Sequence, residues 1–166
     1  MKELEKKIID RSRAKQIGHE MRFNERTLVF TNGCFDLIHP GHVDLLIRAR
    51  SLGDKLMVGL NTDESIRRLK GSKRPLLDQH SRSLMLAALE VVDWVVLFDE
   101  DTPAELISEV KPKILVKGGD YTPENVVGKD TVESLGGEVV IIPFAFNYST
   151  SSLLEKLEGT ATEKAK

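Results

Sequence analysis

The chain has 166 residues, 40% apolar and 30% charged, a length and composition of one globular domain that buries a core without staples. Its 24 basic and 26 acidic side chains leave a net charge of −2, which argues against bulk electrostatic binding to nucleic acid or an anionic membrane. A lone cysteine, Cys34, excludes an internal disulfide or a cysteine-built zinc site, and no apolar run reaches signal-peptide or membrane-span length, so a soluble, cytoplasmic protein is expected.

Residues 3–22 are polar, with Leu4, Ile8, Ile17 and Met21 at loosely helical spacing, and read as a helix leaning on the domain or on a second subunit. Residues 1–26 are therefore taken as a helical extension. Thr27–Thr31, Lys55–Leu60, Trp94–Phe98, Ile114–Lys117 and Glu138–Ile142 are short, β-branched and apolar on both faces, the pattern of strands covered on both sides. Between them, His42–Leu52 and Ser81–Val91 carry apolar side chains at helical spacing. Thr102-Pro103 before AELISEV reads as an N-cap with proline at the first helical position. Ser149–Leu157 supplies a last short helix, and residues 158–166 have almost nothing to bury and should form a flexible tail.

Strands joined by helical crossovers predict an α/β fold: a Rossmann-like, doubly wound, five-stranded parallel sheet in one domain spanning residues 27–157. Ligands in such sheets sit beyond the carboxyl ends of the strands, so the post-strand loops are where chemistry is sought.

The loop after the first strand, TNGCFDLIHPGH, is the most informative. Gly41 lets the backbone approach a ligand, and the helix N-terminus offers N–H groups to an anion. His39 and His42 add two imidazole donors, for which phosphate is the obvious partner. A zinc site is the competing reading, but no second cysteine stands nearby, and only Asp36 and Asp44 offer carboxylates. Residues 67–74 hold five basic side chains in eight positions, with Gly71 and Pro75 suggesting a flap. Arg82 opens the next helix with a fork suited to phosphate. Lys117, Gly118, Gly119 and Asp120 follow the fourth strand, where the glycines admit a nucleotide against the backbone and Asp120 suits ribose hydroxyls. Tyr148, Ser149, Thr150 and Ser151 open the last helix with hydroxyls that suit a phosphate cradle.

GCFDLIHPGH is similar to the HxGH signature of the nucleotidyltransferase superfamily. NTDESIRRLKGSKRP, LAALEVVDWVVLFDEDTP, LVKGGDYTPENVVG and GGEVVIIP resemble one branch of it, the adenylyltransferase domains of ADP-heptose synthases. The resemblance runs from about Thr27 to Leu157. It implies transfer of AMP from ATP to D-glycero-β-D-manno-heptose 1-phosphate with release of pyrophosphate. By it, His39, His42, Lys70 and Arg82 are catalytic, stabilising charge on the phosphates. Asn32, Gly33, Cys34, Phe35, Asp36, Gly41, Lys117, Gly118, Asp120, Tyr148, Ser149, Thr150 and Ser151 bind nucleotide. Mg2+ arrives with ATP, no metal cage is built from protein, and the partners are ATP and a sugar 1-phosphate, with a homodimer plausible and neither nucleic acid nor membrane involved. The string Ser149-Thr150-Ser151 departs conservatively from the family's Ser-Thr-Thr, and Asn147-Tyr148 stands where relatives often carry a basic residue.

The same motif serves other phosphorylated acceptors and CTP, as in a glycerol 3-phosphate cytidylyltransferase, so acceptor and base rest on overall similarity. A catalytically inactive nucleotide-binding module is the further alternative. A receiver domain fails, because no acidic pair ends the first strand and no lysine follows Ile142.

Overall fold

Leu28, Val29 and Phe30 are each at most 2% exposed. Successive strand side chains point to opposite faces, so the sheet that holds them is covered on both. The computed structural model describes residues 1–119, 122, 125–143 and 145. In chain order its elements are α1 (Lys2–Glu5), β1 (Ile8–Ile9), α2 (Arg11–Phe23), β2 (Leu28–Gly33), α3 (Pro40–Arg50), β3 (Lys55–Asn61), α4 (Asp63–Lys70), α5 (Gln79–Ala88), β4 (Trp94–Phe98), α6 (Ala104–Val110), β5 (Ile114–Gly118), α7 (Lys129–Ser134) and β6 (Glu138–Ile142).

The strands form one parallel sheet in the order β1-β4-β3-β2-β5-β6. One face packs Ala14, Ile17 and Met21 of α2, Leu106, Ile107 and Val110 of α6 and Val132 of α7 against Phe30, Met57 and Leu115. On the other, Leu45, Leu46 and Ala49 of α3 and Leu86 of α5 meet Val29, Val58 and Val116. This is the expected doubly wound architecture with one strand more than the five expected. Ile8 and Ile9 pair with Val95 and Val96 at the sheet edge. A two-residue strand is too short to leave a period of its own.

The N-terminal residues accordingly form two helices and a strand rather than one helix. Asp10 caps α2 by accepting from the Arg13 N–H at 2.7 Å, and Gly18 lets α2 meet α6, since a Cβ there would fall 1.9 Å from the Val110 carbonyl oxygen. α6 starts one residue later than expected: Pro103 holds the N-cap position, and no side chain, Thr102 included, caps the helix. The expected last helix, Ser149–Leu157, and the tail lie outside the described residues. Among those described, no helix is long and apolar enough to cross a membrane.

β2 is flanked by β3 on one side and β5 on the other. Its crossovers leave to opposite faces, so the crevice of the fold opens at the carboxyl ends of β2 and β5.

Candidate active site

At the end of β2 the chain turns sharply through Phe35, a non-glycine residue at φ 44°. That left-handed conformation is costly for a bulky side chain and persists only when its surroundings fix it. Here the Phe35 ring is buried, tilted against the His42 ring at 5.0 Å between centroids. Gly33 leaves room for it, because a Cβ there would approach the Phe35 ring to 3.2 Å.

Both motif histidines sit at the N-terminus of α3. His39 is the N-cap residue, with extended backbone and no side-chain capping bond, and Pro40 occupies the first turn. The helix thus presents an uncapped positive end. The two imidazoles stack with centroids 3.7 Å apart and planes at 26°. The buried Nδ1 atoms of both lack a hydrogen-bond partner among the described residues. Burial holds the His39 pKa below its ordinary value. Burial first, then the neighbouring His39 and Lys70, push His42 down to about 4; the Leu37 carbonyl opposes this without reaching hydrogen-bond geometry. Two stacked imidazoles of this kind stay neutral until an anion compensates the charge.

His42 faces a cavity of about 360 Å³ together with Asn32, Gly33, Cys34, Phe35, Lys70, Lys117 and Gly118. Eight of the residues singled out in the sequence are thus gathered from β2, α3, α4 and β5 around one space at the switch point. Lys70 is the last residue of α4. Residues 67–70, expected in a basic flap, are helical, and the loop proper begins at Gly71. Lys117 donates from Nζ to Asn32 Oδ1 at 2.6 Å. Burial lowers its pKa to about 8, against a weaker upward pull from Cys34. Gly41 is buried in the first turn of α3, and His39 reaches the cavity only through its stack on His42. Asp120, Tyr148, Ser149, Thr150 and Ser151 lie outside the described residues.

Two expected ligands are placed differently. Arg82 is fully buried. Its Nε donates to Leu77 O at 3.0 Å, Nη1 to Cys34 O at 2.8 Å and to Asn61 O at 2.9 Å, and Nη2 to Asp63 Oδ1 at 2.6 Å. The fork that suits phosphate is therefore occupied by three backbone carbonyls and a carboxylate. Asp36, 2% exposed, accepts from the N–H groups of Leu76 and Leu77 at 2.7 and 3.1 Å, and its Oδ2 lies 2.6 Å from Arg74 Nη2. That last contact is an ion pair without hydrogen-bond alignment. Asp36 and Arg74 latch the 71–78 loop onto the histidine loop, and the carboxylate is not presented to the cavity. Asn61–Asp63 is one of the post-strand segments where sequence reading seeks chemistry, but neither the Arg82 contacts of Asn61 and Asp63 nor the Asn32 contact to Lys117 could be assigned there. No local signal marks these pairings, because the partners lie far along the chain. No group of three or more His, Cys, Asp or Glu side chains able to hold a metal ion occurs among the described residues.

The Cytidylyltransferase-like family model matches residues 30–156. The chain is 56% identical over 158 residues to the bifunctional protein HldE of Trichlorobacter lovleyi, covering 95% of this chain and 32% of that protein. Against the bifunctional protein HldE of Syntrophotalea carbinolica it is 54% identical over 155 residues, 93% of this chain and 32% of the other. It spans about a third of the length of these curated relatives. Among solved structures, the lipopolysaccharide core biosynthesis protein of Thermoplasma volcanium GSS1 superposes with a TM-score of 0.60 at 31% identity, over 75% of this chain and 99% of that one. Pantoate-beta-alanine ligase of Francisella tularensis, solved with beta-gamma ATP and beta-alanine, shares the fold, with a TM-score of 0.61 at 14% identity over 87% of this chain and 68% of that one.

Proposed function

The chain belongs to the cytidylyltransferase-like family of nucleotidyltransferases, and we propose that it transfers AMP from ATP to D-glycero-β-D-manno-heptose 1-phosphate, releasing pyrophosphate. The observation that carries the reading is the gathering of His42, Lys70 and Lys117 around a cavity at the uncapped end of α3. That is a site for a triphosphate. A sugar phosphate as acceptor is supported by the sequence resemblance and by the likeness to the lipopolysaccharide core biosynthesis protein of Thermoplasma volcanium GSS1.

In the proposed reaction an oxygen of the acceptor phosphate bonds to the α-phosphorus, and the bond from that phosphorus to the α,β-bridging oxygen breaks. Pyrophosphate leaves with the electron pair. The acceptor oxygen is already ionised at neutral pH, so no side chain is needed as a base. His42 and Lys70 donate to oxygens on which negative charge grows, and the helix end adds its dipole. Lys117, fixed by Asn32, stands on the β5 side of the same oxygens. Positioning and electrostatics of this kind carry most of the catalysis in phosphoryl-type transfer. Mg2+ is proposed to come on the triphosphate, where it neutralises charge. The one nearby carboxylate of the histidine loop, Asp36, is already engaged by Leu76, Leu77 and Arg74.

The test is pyrophosphate release by the purified protein with magnesium, offering ATP or CTP with heptose 1-phosphate, glycerol 3-phosphate or phosphopantetheine. Release with ATP and the heptose phosphate alone is expected. Release with another pair would keep the mechanism and replace the substrate, and silence with every pair would overturn the reading.

A further inference from the structure

α2 and α6 cover the face of the sheet opposite the one that carries α3 and its histidines. The two helices meet closely at Gly18 and Val110. A cleft of about 300 Å³ between them is lined by Lys15, His19, Arg22, Ser108, Glu109 and Lys111. Lys15, His19 and Arg22 follow one another at steps of four and three residues, so they form one stripe along α2. Lys111, the residue that ends α6, stands on the other wall.

We propose that this cleft binds a diphosphate, free or as part of a nucleotide, at a site separate from the one where phosphates react. Its charge is the first reason. α2 and α6 carry three carboxylates between them, and all are engaged: Glu109 by Arg11 Nε at 2.6 Å, Glu105 by Arg11 Nη2 at 3.3 Å and Glu20 by Arg13 Nη1 at 2.9 Å. Among the described residues Lys15, Arg22 and Lys111 enter no ion pair. With Glu109 answered by Arg11, the cleft gathers three uncompensated cations on a chain whose net charge is −2. Cations held together in one small space repel each other, and a multivalent anion relieves that repulsion. Donor geometry is the second reason. Arg22 Nη1 donates to the Lys111 carbonyl at 3.2 Å, which holds the guanidinium at the cleft and leaves its other N–H groups for a ligand. The cleft lies at the small end of ligand sites, which run from about 300 to 1,000 Å³, and so suits a compact ion rather than a protein segment.

The backbone of Lys111 is the third. It sits at φ 51° and ψ 59°, the left-handed conformation in which helices commonly end on glycine. A lysine answering only the helix dipole could do so from ordinary backbone, and Lys15, in the first half of α2, is remote from the carboxyl end of its helix. Strained backbone under a charged side chain marks a position kept for binding.

The experiment is equilibrium dialysis of the full chain against radiolabelled pyrophosphate at about 0.15 M salt, where scattered surface charges are screened. Wild type should take up two equivalents per chain, one at the histidine loop and one here. Lys15→Ala and Lys111→Gly should each weaken the second about tenfold or more, with turnover within about twofold of wild type. Lys111→Gly is the sharper variant. Glycine is at home at φ 51°, so its melting temperature should hold or rise while binding falls, which a purely structural lysine would not give. His42→Ala should weaken the other equivalent and leave this one. In that variant, displacement of the label by ADP identifies the diphosphate of a nucleotide as the ligand, and resistance to ADP identifies the free ion. A single equivalent in wild type, or a second that both lysine variants leave intact, would overturn the proposal. A protein that binds two equivalents but is silent with every acceptor would overturn the reaction and leave this site standing.

Discussion

Arg82 and Lys117 are both basic, both sit at the carboxyl edge of the sheet, and both are largely buried, yet the fold uses them in opposite ways. Arg82 satisfies three backbone carbonyls and Asp63, tying together the loops after β2 and β3 and the chain leading into α5. Among the described residues the Lys117 ammonium donates a hydrogen bond only to Asn32, and its side chain lines two cavities. A buried cation whose donors are all met by protein holds structure together. One left under-satisfied is poised for an anion, and its lowered pKa reports the missing compensation.

The sharpest way to break this comparison is Arg82→Ala. It leaves the Asp63 carboxylate and the carbonyls of Leu77, Cys34 and Asn61 without their donor, a loss of about 3–5 kcal/mol. For a chain of this size the melting temperature should fall by roughly 10 °C. Arg82→Lys should recover little of it, because one ammonium cannot match a planar fork aimed at separate acceptors. A variant that melts like wild type but fails to turn over would return Arg82 to the phosphate-binding role its sequence position suggests.

His42→Ala belongs to the other side of the comparison. Turnover should fall by about 10²–10³-fold, as when one preorganised donor to a developing oxyanion is removed, with near-normal melting at neutral pH. Stability should separate the two proteins in acid. His42 titrates near 4 folded and near 6.5 unfolded, so between those values the unfolded chain binds more protons. Wild-type stability therefore falls as pH drops from about 6.5 to about 4, and the variant should lose part of that slope. Equal slopes in urea titrations across this window would show that His42 is not held neutral by the fold.

The five long strands were legible because covered parallel strands write continuous apolar runs, and the histidine loop because Pro-Gly between two histidines at a strand-to-helix turn has few other uses. β1 and α7, two and six residues long, are too short to write a period, and α4 is hidden under charges. The roles of Arg82 and Asp36 were not legible for a different reason. Sequence shows a side chain's donors and acceptors but not which partners the fold delivers. The carbonyl of Cys34 reaches Arg82 from 48 residues away and the N–H of Leu76 reaches Asp36 from 40. For the same reason Lys117 and Arg82 looked alike until the loops around them were in place.

The smallest expected effect tests that distinction most finely. With its pKa near 8, Lys117 is a cation at neutral pH and loses its charge above that value. If it stabilises phosphate oxygens as a cation, kcat/KM should decline on an alkaline limb with a midpoint near 8, the value set by the free enzyme. Lys117→Met should lower the neutral plateau and abolish the limb. Cys34 lines the same cavity, so Cys34→Ser separates thiol from ammonium and should leave the limb where it was. Asn32→Asp gives the decisive comparison: a carboxylate replacing an amide that now sits 2.6 Å from Nζ favours the charged form, so the limb should move to higher pH even as the added negative charge weakens ATP binding. A limb that stays put in Asn32→Asp, or persists in Lys117→Met, would mean that Lys117, like Arg82, is held for structure and that the cation between the two cavities does no chemistry.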